Sequence, residues 1–200
     1  IKEIINDQHA VSAKIKEAKK PIIIFGQSAL ESKFSKYIFE SIKFYLIKNK
    51  KISDDWNSLN TISENASTVG SLDLGIYKTK DGSNEVLSDL ENHKYEIVYL
   101  LGQDSLKFKK QNEFIIYQGS HGDKGAEIAD VILPGSAYTE QNGYFTNLEG
   151  KLQKAYKASY PPGEAKEDWQ IINELSVIIN NKKIFNDKAE LDSSMLNYLN

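Results

Sequence analysis

The stretch from Gly119 to Lys154 packs an unusual order of elements into one run: a glycine loop, a short apolar strand ending on proline, a tight-turn dipeptide and an alternating segment. Gly119, Gly122 and Gly125 surround His121 and Asp123, directly after the apolar run Phe114–Tyr117. Val131-Ile132-Leu133 is too short for a helix and stops at Pro134, which cannot donate to a strand ladder and so sits at its end. Asn142-Gly143 predicts a tight turn, and Tyr144–Gln153 alternates enough for a strand or hairpin. Loops that join short apolar strands in this way constrain the chain to a sheet.

The rest of the sequence supplies the layers around that sheet. Ile4–Lys19 carries apolar residues near helical spacing (Ile4, Ile5, Val11, Ile15, Ala18) and predicts one helix, stopped by Pro21. Ile22–Phe25 reads as a buried strand, and Phe34, Ile38, Ile42, Tyr45 and Leu46 mark a second helix. Its end falls in the Lys48–Lys51 cluster, where cations suit the helix dipole. Strand followed by helix indicates a parallel sheet. Residues 53–81 are rich in Ser and Asn and broken by Gly70 and Gly75, which predicts a short helix with irregular loop. Tyr95–Leu101 is the clearest strand, with Gly102 opening its exit. After Pro161-Pro162-Gly163, a helix is expected from Glu164, with acids in its first turn and Trp169, Ile172 and Leu175 on its core face. We therefore expect an α/β chain, Rossmann-like and doubly wound, with a mostly parallel sheet and a C-terminal hairpin and helix. Residues 1–179 form one domain in this reading, and 180–200 a terminal helical appendage.

Two absences narrow the chemistry. The sequence contains no cysteine, which removes thiolate nucleophiles and cysteine-ligated iron–sulfur clusters from this segment. It contains no arginine either, so any pyrophosphate would have to be held without a bidentate guanidinium. A net charge of −3 gives no general attraction to nucleic acid or anionic lipid. No apolar run approaches the roughly 20 residues a membrane helix needs, and no direct membrane insertion is expected. The sequence opens on Ile1, and we read it as a segment of a longer protein.

Each candidate constellation has a plain structural reading. Gly119, Ser120, His121, Gly122, Asp123 and Gly125 form a loop whose N–H groups could receive a phosphate. Its G-x-x-G-x-x-G spacing is neither the Rossmann nor the P-loop pattern, and the expectation is that the glycines serve backbone angles with φ > 0. His121, Asp123 and Glu127 could ligate a metal only if the loop folded back. No second histidine lies at ligand spacing, since His9 and His93 belong to other segments. A hydrogen bond from His121 to Asp123 that locks the loop is expected instead. As a catalytic couple, the pair would need Ser120 or Ser136 aimed at it. Glu140 and Glu149 flank Asn142-Gly143 and would face each other across a hairpin, either as paired carboxylates or as solvated charges. We assign no catalytic and no metal residue.

The motifs Ala129-Asp130-Val131-Ile132-Leu133-Pro134, Glu140, Asn142-Gly143 and Asn147-Leu148-Glu149-Gly150 resemble the molybdopterin-oxidoreductase fold. His121-Gly122-Asp123, Tyr138-Thr139-Glu140, Pro161-Pro162-Gly163, Glu167-Asp168-Trp169 and Thr68–Gly75 resemble one branch of it. That branch is the large iron–sulfur subunit of NADH:quinone oxidoreductase, respiratory complex I. The resemblance implies a C-terminal part of that subunit with no cofactor of its own. The iron–sulfur clusters would sit in the N-terminal, cysteine-rich part. It implies as partners the remainder of the same subunit and other complex I peripheral-arm subunits. The location it implies is the cytoplasmic face of a bacterial inner membrane, or the mitochondrial matrix side in a eukaryote. Pterin-binding members commonly carry arginine after Glu-Gly, where this chain has Lys151. The alternative implied by the wider fold is a cofactor-binding piece of a true molybdopterin enzyme, such as a formate dehydrogenase, with Gly119–Gly125 on the pterin phosphates.

Overall fold

The strands form where β-branched and aromatic residues cluster, and their pairing is parallel in the two sheets that carry the cores. The computed structural model describes residues 1–76, 85–104 and 108–199. By its internal contacts the chain divides into two compact units, Ile1–Val69 with Thr146–Lys151, and Gly70–Phe145 with Leu152–Asn200.

In the first unit, α1 (Lys2–Ile5) and α2 (Ala10–Glu17) replace the single helix expected over Ile4–Lys19. The break comes at Asp7, which takes a left-handed φ of 60°, and at His9, whose ring Nδ1 accepts the Val11 N–H as an N-cap. The apolar periodicity survives because both short helices turn the same way onto the core, so spacing alone does not reveal the interruption. Strand β1 (Ile23–Phe25) pairs in parallel with β2 (Leu59–Thr61), which the polar composition of 53–81 concealed. Between them lie α3 (Gln27–Leu30) and α4 (Ser35–Lys48). Ile15, Phe25, Ile42, Tyr45 and Leu46 form the buried core. Tyr45 keeps its hydroxyl satisfied there by donating to Asp7 Oδ1 at 2.9 Å. The lysine cluster after α4 also works at a distance in sequence: Lys51 Nζ donates to the Lys16 and Ala18 carbonyls, capping the end of α2.

The element α5 (Thr68–Asp73) follows, and the tail of the expected irregular segment, 77–81, lies outside the described residues. In the second unit come α6 (Glu85–Glu91), β3 (Ile97–Leu101), β4 (Phe114–Gly119), α7 (Lys124–Glu127) and β5 (Val131–Pro134). The sheet order is β3-β4-β5, each pair parallel. One face buries Leu100, Ile115 and Tyr117 against Phe108, Ala126, Ile128 and Ala129. Asp130 explains part of the Ala-Asp-Val motif. Its carboxylate accepts the Ile115 N–H at 2.7 Å, while its own N–H donates to the Ile115 carbonyl, so the side chain adds a rung to the β4–β5 ladder. Lys110, 2.7 Å away, is the first cause holding that carboxyl below its usual range.

Strands β6 (Gly143–Thr146) and β7 (Leu152–Ala155) form a two-stranded sheet. Its turn is not at Asn142-Gly143, as expected, since Gly143 already belongs to β6. Asn147 makes the turn by accepting the Glu149 and Lys151 N–H groups on Oδ1, and Gly150 supplies the left-handed φ of 77°. The long helix α8 (Asp168–Asn180) starts later than expected. Glu164–Lys166 lie outside it, and Glu167 is the N-cap in a capping box with Gln170. Its most buried residues are Ile171 and Asn173, while Trp169, Ile172 and Leu175 are half-buried. The buried face is therefore rotated from the expected one, and Trp169 donates its Nε1–H to Glu167 Oε2 at 2.9 Å. Asn173 spends its amide on the Ile184 and Phe185 backbone, which leads into α9 (Lys188–Leu199). Among the described residues no helix is long and apolar enough to cross a membrane.

Candidate functional site

The glycine loop leaves the C-terminal end of β4, where ligands of open α/β sheets commonly bind. Here the inner side of the loop is filled by the chain's own Tyr117, which is 1% exposed. Its hydroxyl lies 3.0 Å from Asp104 Oδ2 and 3.0 Å from the His121 carbonyl oxygen, two acceptors for one proton. Burial, and then the hydrogen bond to Asp104, push this phenol up to about 12. It remains protonated at any physiological pH.

Tyr117 also accounts for two of the three glycines. A Cβ on Gly119 would stand 2.3 Å from the Tyr117 hydroxyl oxygen and 2.5 Å from Cζ. One on Gly125 would stand 2.7 Å from ring carbons of Tyr117 and 2.8 Å from the Gln103 carbonyl oxygen. None of Gly119, Gly122 and Gly125 has a left-handed φ, so the expectation that they serve special backbone angles is corrected. The glycines at 119 and 125 are there to admit a ring. Gly122 meets nothing within 4 Å and is under neither constraint. The signal in the sequence was Tyr117 itself, two residues before Gly119 and therefore on the same strand face.

The candidate chemical groups are distributed as follows. His121 Nδ1 pairs with Ser120 Oγ at 2.9 Å on the exposed surface, not with Asp123. Asp123 is the backbone N-cap of α7, in extended conformation and with no side-chain capping bond. Ser136 is buried next to the Gly135–Lys166 bridge, and its Oγ has no hydrogen-bond partner. A Ser120–His121 contact with no third group among the described residues to orient the imidazole is not a built nucleophile. No three His, Asp or Glu side chains among the described residues come together to hold a metal ion. Glu140 and Glu149 do not form a carboxylate pair. Glu140 precedes β6 and accepts the Ala137 N–H at 2.9 Å, and Glu149 sits in the turn after β6 beside Asn147.

A polar network that the sequence did not disclose lies at the same end of the sheet. Gln118, fully buried, donates through Nε2 to Asp168 Oδ1 at 2.8 Å and accepts from the Tyr99 hydroxyl. Gln141 donates to the other Asp168 oxygen at 3.3 Å. Gly135 permits this, since a Cβ there would stand 2.8 Å from Asp168 Oδ1. The Tyr99 hydroxyl is pushed up by burial and then by the Asp168 charge. The network anchors the first residue of α8 to the sheet. A cavity of about 170 Å³ adjoins the loop between Leu100, Asp104, Phe108, Lys124 and Ile128.

A pterin phosphate held by Gly119–Gly125 needs inward-facing N–H groups around open space. Tyr117 fills the inner side of this loop, while Gly122 has nothing within 4 Å.

The sequence matches the molybdopterin oxidoreductase family over residues 1–177. It is 43% identical over 182 residues to the NADH-ubiquinone oxidoreductase 75 kDa subunit of Reclinomonas americana, covering 90% of this chain and 26% of that protein. It is 42% identical over 183 residues to the NADH-ubiquinone oxidoreductase 78 kDa subunit, mitochondrial, of Candida albicans, covering 90% and 24%. With an NADH-quinone oxidoreductase subunit of Rickettsia bellii it shares 43% identity over 177 residues, covering 88% and 25%. The chain spans about a quarter of the length of these curated relatives. Its mixed α/β architecture, its mostly parallel pairing and the match over residues 1–177 agree: the chain belongs to the molybdopterin oxidoreductase family, with its similarity to curated proteins running through subunits of NADH:quinone oxidoreductase.

Proposed function

We propose that the chain is a structural, non-cofactor-binding module of the iron–sulfur subunit of NADH:quinone oxidoreductase. It braces the cluster-bearing part of that subunit in the peripheral arm while electrons pass from NADH to quinone. The observation that supports this most directly is Tyr117: the loop that would cradle a cofactor is closed on a buried side chain of its own. Hydride and electron transfer need a flavin or metal centre, which this reading assigns to the cysteine-rich part of the subunit. In this reading the parallel strand pairs belong to a Rossmann-like, doubly wound α/β architecture over residues 1–179, and 180–200 add a helical appendage. The partners are the remainder of the iron–sulfur subunit and neighbouring peripheral-arm subunits, on the cytoplasmic face of a bacterial inner membrane or the matrix side of a mitochondrial one.

The test pairs calorimetric titration of the chain with NADH and with a pterin dinucleotide against removal of residues 21–179 from the full-length subunit. The reading expects no micromolar binding and failed assembly of the complex. Tight binding of either ligand, or normal assembly after the deletion, overturns it. Stoichiometric molybdenum in the purified full-length subunit would favour the formate-dehydrogenase-like alternative.

A further inference from the structure

We infer that the open face of the β3-β4-β5 sheet seats an apolar helix contributed by another part of the same, longer polypeptide, an inference that rests on the module reading above. The parallel register sets Ile97 beside Phe114, Leu101 beside Gln118, and Ile116 beside Val131. Side chains alternate along a strand, so Ile97, Leu101, Phe114, Ile116 and Val131 share one face and the buried Leu100, Ile115 and Tyr117 share the other. On the first face Ile97 is 64% exposed, Leu101 51%, Phe114 47% and Val131 38%. Helix α8 meets that face at its C-terminal end, where Asp168 takes Gln118. Tyr99, Ile116 and Leu133 on the same face are half-buried, and its exposed side chains carry no charge.

Parallel sheets are ordinarily covered on both faces, because their crossovers lay helices across them. A contiguous apolar strip on a parallel sheet is therefore an interface awaiting its other half. The chemistry of the strip selects the occupant. With no lysine among its side chains it offers nothing to a phosphate or an acidic segment, and with its centre on a sheet face it suits the apolar stripe of a helix. The source follows from length: the matched region is only 24–26% of the curated relatives, which leaves ample sequence in one polypeptide to supply the cover.

The absence of cysteine allows a direct test. Ile97→Cys and Val131→Cys are each introduced into the 200-residue chain and into the full-length polypeptide. Maleimide labelling is followed peptide by peptide, with the urea-unfolded protein as the reference rate. The inference expects rapid labelling in the chain alone and labelling at least about tenfold slower in the isolated full-length polypeptide. Equal rates in the two proteins overturn it. So does protection that appears in the chain alone as its concentration rises, which would make a second copy the occupant, and protection that requires other subunits. Failure of the module reading shows elsewhere, as cofactor binding in the titrations above, and does not change these rates.

Discussion

Replacing Gly119 by alanine isolates the role of Tyr117. The backbone at Gly119 is in β4 and outside the left-handed region, so alanine brings no conformational strain. All of its cost comes from a methyl group at 2.3–2.9 Å from three atoms of the Tyr117 side chain. That side chain cannot swing aside freely, because its ring is enclosed and its hydroxyl is held between Asp104 and the His121 carbonyl. Overpacking contributes about 1–3 kcal/mol, and displacing the hydroxyl from its acceptors contributes about 0.5–1.5 kcal/mol. A loss of roughly 2–4 kcal/mol is expected, a large share of the stability of a domain this size. The same substitution in a Tyr117→Leu background meets none of those atoms and should cost under about 1 kcal/mol. Urea unfolding followed by circular dichroism gives the four corners of the cycle, with unchanged m-values as the check on two-state behaviour. Equal costs of Gly119→Ala in both backgrounds would refute the claim that the glycine exists to admit the ring.

Gly122→Ala, with open space around it and no left-handed φ, should be neutral or stabilising by up to about 1 kcal/mol, since alanine restricts the unfolded chain; a loss above that by thermal melting would contradict the geometry. Alkaline pH gives a further test. The folded Tyr117 hydroxyl lies at about 12, above its ordinary value near 10, so its contribution is complete below about pH 10 and is lost as pH rises through about 12. Unfolding midpoints measured from pH 9 to 12 should fall more steeply for the wild type than for Tyr117→Phe, and parallel slopes would remove Tyr117 from the account.

The strands were legible because Ile22–Phe25, Tyr95–Leu101 and Phe114–Tyr117 are runs whose composition admits few alternatives. Strand β2 was hidden because Leu59-Asn60-Thr61 owes its place to pairing with β1, and partners distant in sequence leave no local signature. The hairpin turn was misplaced because Asn142-Gly143 has the stronger dipeptide. Asn147 won through two side-chain bonds to backbone N–H groups, which residue type alone does not rank. At the candidate site the glycines were visible but their reason was not. A gap left for a neighbouring ring and a gap left for φ > 0 look identical in sequence, and only the position of Tyr117 separates them. The Gln118–Asp168 bond joins residues too far apart for any local pattern to reveal.

The order β3-β4-β5 also bears on how the protein comes to exist. Every pairing in this sheet joins strands that are neighbours in sequence, across the connections 102–113 and 120–130. Closing such short loops is entropically cheap, which favours early formation over pairings that wait for remote segments. During synthesis this sheet can assemble as soon as β5 leaves the ribosome, before the helix that begins at Asp168 has been made. A strip bearing Ile97, Leu101 and Phe114 would then stand bare to solvent until a cover docks on it. The interval between β5 and its cover is when a nascent chain of this kind most needs a chaperone.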